Sequence, residues 1–138
     1  MMNLTYNNIV QEMLKIIPQL QPLYDKELEE LWQEEGLILP HIAFGDILNP
    51  FLISLLQKPQ ELTKDDEKLL SKIFNFLENM ALSEDVKIQE VVSVTVMARI
   101  GDDISILKNA LKYMGNETKK LSRKIEEYYG RKDNVKLL

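Results

Sequence analysis

Cysteine is absent from this 138-residue chain, and histidine occurs once. The first absence excludes disulfides, thiolate zinc sites, iron–sulfur clusters and a thiol nucleophile. A lone imidazole excludes any site that needs two. Glycine and proline number five each, which is little material for the many turns of a sandwich or barrel. No stretch approaches the ~20 apolar residues of a membrane span. The most apolar ones, 36–44 and 47–56, are interrupted by Pro40, His41, Asn49 and Pro50. Met-Met-Asn-Leu-Thr-Tyr at the start offers no basic region ahead of an apolar run, so no secretory signal is expected. These absences point to a cytoplasmic protein without a membrane partner. What is present, 45% apolar residues in a chain of this length, suffices for one core.

The net charge of −5 is unevenly distributed. Residues 1–103 carry eight basic against eighteen acidic side chains, and residues 104–138 carry nine against four. An acidic body is expected to repel nucleic acid and anionic membrane and to attract a basic protein. The basic end has Lys108, Lys112, Lys119, Lys120, Arg123 and Lys124 with Tyr113, Tyr128 and Tyr129 nearby. That set reads as the solvated face of terminal helices rather than a phosphate track.

Punctuation and periodicity predict an all-α fold, a compact bundle or short HEAT-like stack of about six to seven helices. Residues 1–130 are expected as a single domain and 131–138 as a flexible tail. The first helix, about 5–17, places Ile9, Met13, Ile16 and Ile17 on one side and ends at Pro18. A second, about 22–35, has Leu28, Leu31 and Trp32 on one side and Gly36 as its stop. Residues 37–46 read as a buried connector, after which Asp46 or Asn49 caps a helix through Leu56. Thr63 and Asp66 imitate a capping box ahead of Leu69, Leu70, Ile73, Phe76, Leu77 and Met80. Ser83 is the expected cap of a fifth helix, 84–101. Its β-branched run Val91-Val92-Ser93-Val94-Thr95-Val96-Met97 resembles a strand in isolation, but no partner strand is visible. A sixth helix follows Gly101-Asp102-Asp103, with Ile104, Leu107, Leu111 and Met114 on one face. Asn116 is the expected cap of a seventh, 117–129, with Leu121, Ile125 and Tyr128 inward and Gly130 as stop.

Catalytic templates find little to hold. His41 needs an orienting carboxylate and a nucleophile or metal; Asp46 and Ser54 are the nearest candidates, and a packing role in the connector is the expectation. Glu27 and Glu30 satisfy half of the paired acidic motif of helical magnesium hydrolases, but no second half follows. No di-iron motif, phosphate loop or cofactor fingerprint occurs. The expectation is therefore a non-enzymatic protein with no metal and no cofactor. Glu27, Glu30 and Glu34 share a helix face at three- and four-residue steps, with Asp25 and Glu29 alongside. Their mutual repulsion would be relieved by a basic partner. Trp32 beside them suits either a core anchor or an interface hot spot. Glu27, Glu30, Glu34 and Trp32 are the candidate partner-binding residues.

Leu39-Pro40-His41-Ile42-Ala43-Phe44-Gly45-Asp46, followed by Phe76-Leu77-Glu78 and by Gln89-Glu90-Val91-Val92-Ser93-Val94, resembles a family of small acidic helical bacterial proteins. The resemblance spans about residues 36–101. That family is similar to immunity proteins of bacterial polymorphic toxin systems, which implies a protein that neutralises a cognate, basic toxin domain. The resemblance carries over no site residues, since immunity proteins bind through variable surfaces. The alternative is a HEAT-like adaptor or regulatory subunit that holds a peptide or protein partner between its helices.

Overall fold

The computed structural model describes residues 3–31 and 38–138. Among the described residues there are helices and no strands. Ile9–Ile16 form α1, and a 3-10 turn Pro18–Leu20 leads into α2, Gln21–Leu31. Helix α3 is one helical path over 40–56, built from Pro40–Ala43, a π-helical Phe44–Leu48 and Asn49–Leu56. Lys64–Ala81 form α4. Helix α5 covers 86–100, with Val91–Met97 π-helical in its middle. Ile104–Ala110, prolonged by a 3-10 turn Leu111–Tyr113, form α6. Asn116–Tyr128 are α7, and Lys132–Val135 form a short α8.

The capping box forms in both directions. Asp66 N–H donates to Thr63 Oγ1 at 3.0 Å, and Thr63 N–H donates to the Asp66 carboxylate at 3.1 Å. Behind it, Leu70, Ile73, Phe76, Leu77 and Met80 are buried in α4 as their spacing requires. Phe44, Phe74 and Phe76 lie fully inside, with Phe44 and Phe76 stacked at 6.4 Å between ring centroids. Each such side chain contributes about 1.5–3 kcal/mol relative to exposure.

The β-branched run is helical, as its length required, but wider than an α-helix. Five stiff side chains among the six residues 91–96 crowd an α-helical turn, and here Ala98 N–H reaches back to Ser93 O, a five-residue closure. In α3 the same closure joins Asn49 N–H to Phe44 O, immediately before Pro50. Pro50 has no N–H and its ring clashes with the carbonyl four residues earlier, so a widened turn accommodates it inside the helix. The two π-helical segments pack against each other.

Several local expectations change. The connector 37–46 is helical from Pro40 onward, because Pro40 is preset for a first turn. Asp85, not Ser83, caps α5, accepting from Lys87 N–H at 3.0 Å. Residues 131–138, expected as a flexible tail, contain α8, and Asn134 is buried. Its amide donates to Gly101 O at 2.8 Å and to Glu126 Oε2 at 2.9 Å. The inner face of α7 is rotated from the apolar reading: Thr118, Ser122, Ile125 and Glu126 are buried, and Tyr128 is 82% exposed. Polar partners on other helices decide that face. The Gly36 stop and the end of the second helix lie outside the described residues. Gly130 ends α7 with φ 70°, the left-handed conformation that glycine adopts without strain.

Candidate functional site

Helix α2 presents Asp25, Glu29 and Glu30 to solvent, with Glu27 half-buried. Asp46, on the π-helical turn of α3, lies against Glu27. Burial, then the Asp46 and Glu30 charges, then a hydrogen bond with Asp46 push the Glu27 carboxyl above the usual carboxylate range. Glu27, Glu30 and Asp46 take part in none of the ion pairs among the described residues. The corner is therefore an uncompensated negative surface that favours an ammonium or guanidinium group. Leu23, 48% exposed on the same helix, adds apolar surface.

Of the four residues expected to bind a partner, the structure places Glu27 and Glu30 on this corner. Glu34 and Trp32 lie outside the described residues. Asp46 was considered earlier only as a cap or an orienting group for His41, and it serves neither role. Sequence spacing could not reveal its contact with Glu27, which depends on how α2 and α3 meet.

Beside the corner, His41 Nδ1 and Thr95 Oγ1 share a hydrogen bond of 2.6 Å, and Asn49 Nδ2 donates to Thr95 O at 3.0 Å. The two bonds clasp the paired π-helical segments. No carboxylate among the described residues bonds the other nitrogen of His41, and Ser54 Oγ donates to Phe51 O at 2.6 Å instead of approaching the imidazole. Among the described residues no three or more His, Asp or Glu side chains converge as metal ligands. No helix of the described residues is long and apolar enough to cross a membrane.

Four of the nine cations in residues 104–138 are in ion pairs among the described residues. Lys120 meets Glu117 at 3.0 Å, Arg123 meets Glu127 at 2.9 Å, and Arg131 bridges Asp102 and the fully buried Glu126 at 2.9 and 3.0 Å. Glu78 of α4 reaches the start of α7 and accepts from Glu117 N–H, Thr118 N–H and the Thr118 hydroxyl at 3.0, 2.8 and 2.8 Å. It does the capping expected of Asn116. Burial alone would raise the Glu78 carboxyl, but those hydrogen bonds, helped by Lys120, hold it below the usual range. Sequence reasoning had given Glu78 and Glu126 no role, since each acts through distant partners.

No curated protein and no solved structure matches the chain. Residues 10–130 match the profile of a family described as a domain of unknown function, DUF7674. With nearly the whole helical body covered, the chain belongs to the DUF7674 family.

Proposed function

We propose that the chain is a non-enzymatic binding domain whose acidic corner of Glu27, Glu30 and Asp46 meets a basic protein surface. The partner is a toxin domain that the chain neutralises by covering its working face, as the immunity proteins it resembles do. The Glu27–Asp46 contact supports this reading most. Two like-charged carboxyls are held together at a cost in free energy, and no cation among the described residues pairs with them. A partner's Lys or Arg would relieve that repulsion. Glu34 and Trp32 join the proposed surface by their position after Glu30 in the sequence.

Co-expression with the product of the adjacent reading frame is the test. Growth is expected to be rescued, and binding in vitro is expected to weaken as salt rises. The triple change E27K/E30K/D46K should abolish both effects. Unchanged affinity at low salt would remove this surface from the proposal, and failure of rescue by the unaltered chain would remove the toxin.

A further inference from the structure

A second surface has the opposite charge. Leu56 at the end of α3, Pro59 and Leu62 in the following loop, and Tyr113 at the end of α6 line an apolar notch of about 120 Å³. Asn109 Nδ2 donates to Leu56 O at 2.8 Å and fixes the notch by joining α6 to the end of α3. Tyr113 is held from behind, its ring stacked on Phe74 at 5.9 Å. The notch opens through Lys112 and Tyr113 into a broader trough along α4.

Lysines ring this groove. Lys64, Lys68 and Lys72 stand at four-residue steps on α4, and Lys108 and Lys112 face them from α6. All five are exposed, and none is in an ion pair among the described residues. Lys112 lies over the Tyr113 ring, with Nζ 5.1 Å from its centroid. The sequence separates these residues into an acidic body and a basic end; the fold gathers them.

We infer that this groove binds an acidic segment of a partner protein, with one apolar side chain seated in the notch and carboxylates on the lysine rim. Charge complementarity names the sign of the occupant, and the apolar floor distinguishes a peptide from a phosphate polymer. Three further observations favour the peptide. Glu67 lies in the trough itself, with Asp65 and Asp66 on the same helical turn, and they oppose a continuous run of negative charge more than a few carboxylates placed on the lysines. All three arginines, the better phosphate ligands, are in ion pairs elsewhere. A peptide needs only a few carboxylates around one anchor, which matches a small notch inside a wider charged rim.

Selection of short random peptides displayed against the full chain tests the assignment, with K68E/K72E/K112E as the counter-target. The enriched sequences are expected to carry acidic residues around a single large apolar residue. A synthetic peptide of that sequence should bind the triple variant at least about tenfold more weakly. Exchanging its apolar residue for serine should weaken it comparably. Enrichment of neutral or basic sequences, or equal binding to both chains, would overturn the inference. So would a single-stranded oligonucleotide of equal charge binding as tightly as the peptide. Thermal unfolding checks the variant's fold, and K112E alone provides the same comparison if the triple change destabilises the chain.

Discussion

Glu126 occupies the space that a side chain on residue 101 would need. A Cβ built on Gly101 would overlap the Glu126 carboxylate, so the absence of a side chain at one residue is what lets the other be buried. Glu126 is fully enclosed and meets Arg131 Nε at 3.0 Å and Asn134 Nδ2 at 2.9 Å. G101A should therefore expel the carboxylate and destabilise the fold by about 2–4 kcal/mol. E126A should cost a similar amount, because Arg131 and Asn134 lose their buried acceptor. Denaturant unfolding of the two single variants and the double should show strong non-additivity, since both break one arrangement.

Glu78 links stability to acid. Its folded value lies below the ordinary one, so its contribution is fully present above the ordinary glutamate range, near pH 4. It is lost as pH falls through the lower folded value. Melting temperature should drop over that window in the unaltered chain and drop less in E78Q, which keeps an acceptor but has no charge to lose. At neutral pH E78A should cost about 1 kcal/mol, the usual loss for an unsatisfied helix start. G115A should also destabilise, as a Cβ there would overlap the same carboxylate.

Glu27 carries the opposite sign. Its raised folded value means that burial of the charge, and then repulsion from Asp46 and Glu30, weakens the fold above that value, an effect that disappears as pH falls below the ordinary carboxylate range. E27Q or D46N should stabilise the isolated chain at neutral pH, on the order of a few tenths of a kcal/mol. The gain should vanish in acid. The same substitutions should weaken binding of the basic partner, so that stability and affinity move in opposite directions. A pH series of melting curves beside a binding titration reads both.

The clasp between the π-helical segments separates two effects at neighbouring positions. A Cβ on Gly45 would meet Thr95 Cγ2 at 3.5 Å, an ordinary contact. G45A should thus stabilise by about 0.5–1 kcal/mol, through the chain freedom that glycine loses in a helix. T95V keeps the shape but loses the bond to His41, and should cost about 1 kcal/mol. If G45A destabilises, the backbone at 45 needs glycine for a reason other than space.

What could be read from the sequence follows from how far each interaction reaches along the chain. The Thr63–Asp66 box spans three residues, and both of its bonds form. The helical nature of Val91–Met97 was legible from the length of the segment and the lack of a partner strand. Tyr128 was misplaced because periodicity reports which residues share a face, while distant partners decide whether that face is inward. Thr118 and Glu126 turn inward because Glu78 and Arg131 meet them there. At the acidic corner, Glu27 and Glu30 were found by their spacing; Asp46 required the meeting of two helices. The lysine groove was invisible for the same reason, since Lys64 and Lys112 lie on separate helices.

Helix α3 also holds a residue in reserve. A π-helical turn closes over five residues where an α-helical turn closes over four, so the path through Phe44–Leu48 contains one more amino acid than a regular helix of the same course. Loss of a single residue there could be absorbed by tightening the turn, leaving Leu52, Ile53 and Leu56 on their buried face downstream. The same deletion in an ordinary helix would swing every later side chain by about a hundred degrees around the axis. A family built on this fold can therefore change its length at the acidic corner without disturbing the core behind it.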